Sequence, residues 1–212
     1  MCGIIGYIGN REAAPLMLEC LKRLEYRGYD SAGFCTVNNN QTLIQKDVGK
    51  IQEVEKKVNL NGFNGSVGIS HCRWATHGGV TKENAHPHTD CKNMISIVHN
   101  GIIENFSELK KALMEKGHKF NSSTDTEVIA HLIEENYNGS VEEATRTALK
   151  LIEGSYALGI ICAKEPQKLI AARNESPLIL GIGKEENFIA SDVPAILKHT
   201  NRVIYLENNE MA

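Results

Sequence analysis

The sequence has no block of like charge and no apolar run near the length of about 18 residues that a membrane-spanning helix requires. Lysine and arginine number 23 against 26 aspartates and glutamates, which gives a net charge of −3. This near balance argues against a nucleic-acid or membrane-surface partner. The first residues also lack a basic segment followed by an apolar one, which argues against a secretory signal. We therefore expect a cytoplasmic protein that acts on a small molecule.

Linkers, repeats and paired cysteines are missing as well. Only five prolines occur in 212 residues, and no stretch rich in Pro, Ser or Gly divides the chain, so we expect one domain over residues 1–212. A hydrophobic content of 42% is enough for a substantial core. The six cysteines include no Cys-x-x-Cys pair, and we expect reduced thiols, with Cys20, Cys35 and Cys162 in the core.

The pattern of apolar residues predicts a β-rich start, a helical middle and a β-rich end. Predicted strands cover 3–9, 34–37, 43–47, 66–72, 94–99, 155–163, 168–173, 178–183, 187–191 and 202–206, and predicted helices cover 12–25, 109–116, 126–135 and 144–152. Asn105 with Glu108, and Ser140 with Glu143, have the spacing of helix-capping pairs. Helices segregated from hairpin-linked strands favour an α+β layered sandwich over a doubly wound parallel sheet.

Cys2 stands directly behind the initiator methionine. Removal of Met1 would place a thiol and a free α-amine on the same residue. A thiolate is a strong nucleophile, and an α-amine with an ordinary pKa of about 8 is partly neutral at pH 7, so it could accept the thiol proton. An ordinary second residue is the alternative, and position alone leaves both interpretations open.

A second polar segment, Arg73-Trp-Ala-Thr-His-Gly-Gly79, follows the strand predicted over 66–72. Arg73 could pair with a carboxylate through two hydrogen bonds, and Trp74 could shield a site from water. The flexible glycines would let such a loop close on a ligand. Taken alone, the arginine could equally be a surface charge and the tryptophan a core residue.

Two further motifs carry both a structural and a chemical interpretation. Asn100-Gly101 at the end of a predicted strand could supply two hydrogen-bond donors to an oxyanion, although Asn-Gly also commonly forms a turn. Asp125, before a predicted helix, could cap that helix or bind a substrate ammonium. Taken alone, Asn100-Gly101 is more typical of a turn, and Asp125 is more typical of a helix cap.

Together the motifs describe a site for an amino acid with a side-chain carbonyl, and glutamine fits. The chain also closely resembles the N-terminal-nucleophile (class II) glutamine amidotransferases, and it most resembles their amino-sugar branch. Six ordered motifs carry the resemblance: Cys2-Gly-Ile-Ile-Gly6, Leu24-Glu-Tyr-Arg-Gly-Tyr-Asp-Ser-Ala-Gly33, Arg73-Trp-Ala-Thr-His-Gly78, Asn84-Ala-His-Pro-His88, His99-Asn-Gly-Ile-Ile-Glu-Asn105 and Thr124-Asp-Thr-Glu-Val128.

The resemblance implies a four-layer αββα sandwich of the N-terminal-nucleophile hydrolase type and the hydrolysis of L-glutamine to glutamate and ammonia. Cys2 would form the thioester, and its own amine would shuttle the protons. Asn100 and the Gly101 amide would form the oxyanion hole. Arg73 and Asp125 would hold the α-carboxylate and the α-ammonium of glutamine. Neither a cofactor nor a metal is expected.

The remaining roles are also implied by the resemblance. Thr76 and His77 would complete the glutamine pocket, and Trp74 would lie on the closing loop that gates ammonia passage. Arg27, in a turn with Gly28, would help to position the N-terminal cysteine. His86 would support the glutamine loop.

In the amino-sugar branch the chain continues into a sugar-phosphate isomerase part, which uses the ammonia to convert fructose 6-phosphate to glucosamine 6-phosphate. The present chain lacks that part, so we expect an excised domain that hydrolyses glutamine but makes no amino sugar. The parent enzyme would be a homo-oligomer. A retained Met1 would cap the catalytic amine and keep activity low.

Other functions stay open. Class II amidotransferases of the phosphoribosyl pyrophosphate or asparagine-synthesising type share the Cys and Asn-Gly motifs, so they are alternatives for the acceptor. A domain that binds glutamine without hydrolysis is another possibility. A different class is a metal-binding or redox module, whose candidate ligands fall within 21 residues: His71, Cys72, His77, His86, His88 and Cys91.

Overall fold

The structure is a computed structural model that describes residues 2–58, 60, 62–75 and 78–212. Thr76 and His77, which the sequence analysis assigns to the glutamine pocket, lie outside the described residues, and so does Met1. The helices are α1 (Ala13–Lys22), α2 (Ile51–Lys57), α3 (Phe106–Glu115), α4 (Glu127–Asn136) and α5 (Val141–Leu149). The strands are β1 (Gly3–Ile8), β2 (Ser31–Asn38), β3 (Gln41–Val48), β4 (Val67–Arg73), β5 (His88–Thr89), β6 (Ile95–Ile103), β7 (Gly154–Cys162), β8 (Leu169–Asn174), β9 (Ile179–Ile182), β10 (Asn187–Ala190), β11 (Val203–Tyr205) and β12 (Glu210–Met211).

The strands form two antiparallel sheets. The first has the order β11-β9-β10-β1-β4-β2-β3, and the second has the order β12-β8-β7-β6-β5. The inner strands β1, β4 and β6 are buried over almost their whole length because they are covered on both faces. Asn39 and Asn40 both have positive φ, 49° and 58°, and close the β2–β3 hairpin as the sequence predicts.

The layers stack as helix, sheet, sheet, helix. One apolar core fills the space between the sheets and continues under α4 and α5, with Ile69, Ile97 and Ile129 among its members. A second core lies between the first sheet and α1, where Met17 and Phe34 are fully buried. The expected α+β four-layer αββα sandwich is therefore confirmed.

Most predicted elements occur within a few residues of their predicted bounds. Cys20, Cys35 and Cys162 are buried as expected, and Ser140 caps α5 by accepting a hydrogen bond from the Glu143 N–H. Asn105 occupies the N-cap position of α3 as predicted, but it makes no capping bond, because its side chain bridges the backbone of Leu151 and Glu153. Helix α2 was not predicted. Among the described residues, no helix combines the length and the apolar character that crossing a membrane would require.

Candidate active site

A cavity of about 270 Å³ opens at one edge of the sandwich, where the first residues of β1 meet the end of β4 and the middle of β6. Antiparallel pairing sets Gly3 opposite Cys72, so Cys2 lies beside the residues that follow β4. The cavity lining includes eight predicted site residues: Cys2, Arg27, Arg73, Trp74, His86, Asn100, Gly101 and Asp125. Gly28 packs behind them, and a Cβ there would lie 2.7 Å from the Cys72 carbonyl oxygen.

The Cys2 thiol lies at the cavity wall against the backbone of Trp74. The Trp74 N–H donates a hydrogen bond to Cys2 Sγ at 3.2 Å, and the thiol faces the Trp74 carbonyl oxygen at 3.5 Å. Burial raises the pKa of the thiol, and the Trp74 N–H opposes that shift because it stabilises a thiolate. The protonated form is therefore favoured at neutral pH, so the nucleophile requires a base.

Asn100 connects the nucleophile to the second sheet. Its Nδ2 donates to the Cys2 carbonyl oxygen and to Ser191 Oγ, both at 3.0 Å. A carbonyl oxygen can only accept, so the amide NH₂ must face Cys2, and Oδ1 must face His71. His71 Nε2 lies 2.9 Å from that oxygen and therefore donates to it.

Buried histidines stand behind Asn100. Burial lowers the pKa of His71 to about 3 and holds that of His86 well below its usual range, so both rings are neutral. The two rings stack with centroids 4.2 Å apart, and His86 Nδ1 accepts a hydrogen bond from the His99 N–H. His88 Nε2 lies 3.1 Å from Thr124 Oγ1. These contacts place three candidate ligands of the alternative metal module, His71, His86 and His88, in a packed hydrogen-bond network that supports the cavity wall.

The Asn100-Gly101 pair lies inside β6 rather than in a turn, so the turn interpretation is wrong. Asn100 pairs with Ala157, and Gly101 pairs with Tyr156. Gly101 has a φ of +132°, and a Cβ there would approach the Ser155 carbonyl oxygen to 2.1 Å. The site therefore requires glycine at this position, because no L side chain fits.

Asp125 is not a helix cap. Helix α4 begins two residues later, and Thr126 occupies the cap position without a side-chain cap bond. The Asp125 carboxylate instead accepts a hydrogen bond from the Ile103 N–H at 2.8 Å through Oδ2, and the residue is 6% exposed. This bond anchors the carboxylate against β6 at the cavity.

Arg73 is buried, at 4% exposure, so it is not a surface charge. Its guanidinium donates to the carbonyl oxygens of Gly79 at 3.2 Å and Gly78 at 3.4 Å and lines the cavity. Trp74 is 47% exposed, so it is not a core residue either, and its ring centroid lies 5.5 Å from that of Tyr29. A cation at the end of β4 and the aromatic ring directly after it thus border the cavity.

Three polar residues near the cavity were missed by the sequence analysis. Asp192 accepts from Arg27 Nη2 at 2.8 Å, and Ser191 Oγ accepts from the Ile4 N–H at 2.9 Å. Asp30 accepts a hydrogen bond from the Ala75 N–H and holds the start of the loop after β4. Their positions in the sequence could have indicated these residues. Asp30 lies within the motif over residues 24–33, and Ser191 and Asp192 directly follow an apolar strand.

The chain is similar to known proteins over most of its length. A family model for the glutamine amidotransferase domain matches residues 71–198. The glutamine–fructose-6-phosphate aminotransferase (isomerizing) of Pyrococcus horikoshii is 56% identical over an alignment of 212 positions, which covers 99% of this chain and 36% of that protein. The protein of the same name from Caldanaerobacter subterraneus is 53% identical over 212 residues, covering 100% of this chain and 35% of that protein. The chain therefore spans about a third of the length of these curated relatives.

A solved structure of glutamine phosphoribosylpyrophosphate amidotransferase from B. subtilis, in complex with ADP and GMP, is also similar. Its TM-score is 0.86 at 29% sequence identity, and the match covers 99% of this chain and 46% of that one. The similarity thus extends over the whole sandwich and includes the edge that carries the cavity.

Proposed function

The chain belongs to the glutamine amidotransferase domain family, and we propose that it hydrolyses L-glutamine to L-glutamate and ammonia through a thioester on Cys2. One observation carries the proposal. A thiol, an amide donor, a buried guanidinium and a buried carboxylate converge on one cavity from positions that are far apart in the sequence. At about 270 Å³ the cavity is smaller than the roughly 300–1,000 Å³ pockets that hold drug-sized ligands, which suits an amino acid.

The first half of the reaction forms the thioester. After Met1 is removed, the α-amine of Cys2 takes the thiol proton, and Sγ attacks the side-chain amide carbon of glutamine. The carbonyl oxygen becomes an oxyanion as the new C–S bond forms. The C–N bond then breaks, and the amine gives its proton to the leaving nitrogen, which departs as ammonia.

The second half hydrolyses the thioester. Water gives a proton to the same amine as its oxygen attacks the thioester carbon. The C–S bond breaks, glutamate leaves, and the proton returns to the sulfur. The Trp74 N–H, which contacts Sγ at 3.2 Å, stabilises the thiolate in both halves.

The ends of glutamine are held by opposite charges. Arg73 binds the α-carboxylate, and Asp125 binds the α-ammonium through the oxygen that the Ile103 N–H does not occupy. Both side chains are almost fully buried, so these charge pairs are little screened by water. A substrate with both an α-carboxylate and an α-ammonium is therefore favoured over a simple amide.

Asn100 and the Gly101 N–H serve as oxyanion donors. Both hydrogens of Asn100 Nδ2 are engaged, with Cys2 and Ser191 as acceptors. Donation to the oxyanion therefore requires that one of these bonds be exchanged for the substrate bond. The His71 N–H keeps the amide in the donating orientation during that exchange because it fixes Oδ1.

In the longer protein we propose that the ammonia is used to form glucosamine 6-phosphate from fructose 6-phosphate, in a C-terminal isomerase part that acts as the partner of this domain. Support comes from relatives at 53–56% identity that carry the aminotransferase name. The phosphoribosylpyrophosphate amidotransferase shares the fold at a lower identity of 29%. Trp74, half exposed at the cavity rim, is in a position to gate ammonia release.

The test combines intact mass with a glutaminase assay. Chain that has lost Met1 should release glutamate from L-glutamine, and acid quenching should trap one glutamyl group on the chain. Cys2→Ala should abolish both signals, whereas Cys162→Ala, a buried cysteine of β7, should retain them. Glutamate release that continues unchanged in Cys2→Ala would contradict the proposal.

A further inference from the structure

A second cluster of reactive side chains lies outside the glutamine cavity. Cys91 follows β5, His118 follows α3, and His131 with Glu134 lies three residues apart on α4, so the last two share one helix face. Their four candidate ligand atoms all lie within 4.8 Å of one another. Cys91 thus joins this group rather than His86 and His88, which the sequence suggested as its partners.

Five of the six separations match the edges of a small tetrahedron, and the sixth, between Cys91 Sγ and the Glu134 carboxylate, is within 4.8 Å. Cys91 Sγ lies 3.6 Å from His118 Nδ1 and 3.5 Å from His131 Nδ1, and the two Nδ1 atoms are 3.2 Å apart. Glu134 Oε2 lies 3.2 Å and 3.5 Å from those nitrogens. A tetrahedral zinc ion with Zn–S of about 2.3 Å and Zn–N of about 2.0–2.1 Å separates sulfur from nitrogen by roughly 3.5 Å and two nitrogens by roughly 3.3 Å.

The outer nitrogens of both imidazoles face carboxylates. His118 Nε2 lies 3.1 Å from Glu135 Oε2, and His131 Nε2 lies 3.7 Å from Glu127 Oε1. A neutral histidine that donates its Nε2 proton presents a lone pair at Nδ1. The Nε2 of His131 is too far from Glu127 for a hydrogen bond, so only the His118 ring is oriented in this way. A lone pair on each Nδ1 and a carboxylate oxygen within about 3.5 Å repel one another unless a proton or a metal ion lies between them. Carboxylate, histidine and metal in this order are a common arrangement around bound zinc.

We propose that Cys91, His118, His131 and Glu134 bind one Zn²⁺ ion. A thiolate and two imidazoles select a borderline-soft metal, and four protein ligands leave no open position, so the site is structural rather than catalytic. The thiolate and the Glu134 carboxylate together neutralise the charge of the ion. The Lys119 N–H, which points at Cys91 Sγ from 3.4 Å, adds a donor suited to a metal-bound thiolate.

The ion would tie three segments together. It joins the residues after β5, the loop after α3 and the later turns of α4. Glu127, which faces His131, also accepts hydrogen bonds from the N–H groups of Asn121 and Ser122 at 2.7 Å. The zinc site thereby braces the loop that leads to Asp125, while none of its four ligands lines the cavity.

The test measures metal content rather than turnover, so its outcome is independent of the glutaminase proposal. The chain, purified without chelator and supplied with Zn²⁺, should carry one zinc ion. The metal-free chain titrated with Co²⁺ should develop a thiolate-to-cobalt charge-transfer band. Cys91→Ser should lose the band and the bound zinc, whereas Cys2→Ala, which removes the thiol of the other site, should keep both.

Less disruptive variants distinguish a loss of zinc binding from misfolding of the chain. Glu135→Gln changes a partly exposed residue that accepts hydrogen bonds from His118 and Lys116, and it should weaken Zn²⁺ binding about 10- to 100-fold. Glu143→Gln, an exposed glutamate of α5, should not change it. Zn²⁺ at about a thousand times its Kd should raise the Tm of the metal-free chain by roughly 10 °C. Absence of the cobalt band in folded wild-type chain, or a full equivalent of zinc in Cys91→Ser, would overturn the proposal.

Discussion

The charge on Asp125 offers the sharpest test of how glutamine is oriented. Asp125→Asn keeps the shape of the side chain. The Ile103 N–H lies 2.8 Å from Oδ2 and can only donate, so the asparagine oxygen must turn toward Ile103. Its NH₂ group then faces the position assigned to the substrate ammonium. A buried charge pair is thus replaced by two opposed donors.

The magnitude follows from the burial of Asp125, which is 6% exposed. Breaking a buried pair by removing one partner costs about 3–5 kcal/mol. At 1.36 kcal/mol for each factor of ten, the lower figure corresponds to a loss of about 150-fold in kcat/KM for L-glutamine. We expect most of the loss in KM, because the ammonium is bound in the ground state as well as in the transition state.

The assay compares L-glutamine with glutaramate, which has the same amide and carboxylate but no α-ammonium. Wild-type chain should prefer L-glutamine, and Asp125→Asn should reduce that preference about 150-fold, because the variant gains nothing from the ammonium. Asp47→Asn, on β3 and remote from the cavity, should retain the wild-type preference. An undiminished preference in Asp125→Asn would refute the assigned orientation of the substrate.

Three further predictions concern β6 and the residues that contact it. Asn100→Ala should lower kcat about 100- to 1,000-fold with little change in KM, measured by glutamate release, because an oxyanion donor acts mainly in the transition state. Gly101→Ala should lower the Tm, because its Cβ would lie 2.1 Å from the Ser155 carbonyl oxygen. Burial lowers the pKa of His71 to about 3 in the folded chain, whereas a histidine in the unfolded chain has a pKa near 6.5. Between these values the unfolded chain binds more protons than the folded chain. The free energy of unfolding should therefore decrease as the pH falls from about 6.5 toward 3. In urea unfolding measured at several pH values, the free energy of unfolding of His71→Leu should fall less steeply with decreasing pH than that of the wild-type chain, by up to about 1.4 kcal/mol per pH unit.

The layered fold could be predicted because its signals are local. The continuous apolar run of β1 marks a strand covered on both faces. Three asparagines between two strand patterns indicate a tight hairpin, and Asn39 and Asn40 adopt the required positive φ. Helix α2 was missed because it has only seven residues and buries only Ile51 and Val54, too few to establish a period.

The site was harder to predict because its residues depend on distant partners. Asn100-Gly101 has the local preferences of a turn, but nine consecutive pairings between β6 and β7 keep it in a strand. Asp125 has the local preferences of a cap, but the Ile103 N–H on another element claims its carboxylate. The combination of motifs suggested the chemical roles of these residues, and the resemblance to known amidotransferases favoured those roles over the local preferences.

The same limit explains why the zinc cluster could not be predicted from spacing. Cys91 and His118 are 27 residues apart and lie in separate loops, so the sequence offers no short ligand motif. The nearby His86-Pro-His88 segment was the more attractive partner for Cys91. Those histidines instead turn into the buried network behind Asn100, because β5 pairs His88 with Ile97 of β6.

The geometry at the cavity depends on how the two sheets are aligned. Cys2 precedes β1 in the first sheet, whereas Asn100 lies on β6 in the second. Ser191 Oγ bridges them because it accepts hydrogen bonds from the Ile4 N–H at 2.9 Å and from Asn100 Nδ2 at 3.0 Å. A shift of one sheet against the other would therefore separate the proposed nucleophile from its oxyanion donor. Since displacements of about 1 Å can cost a hundredfold in rate, the tight packing between the sheets is itself a requirement for the proposed reaction.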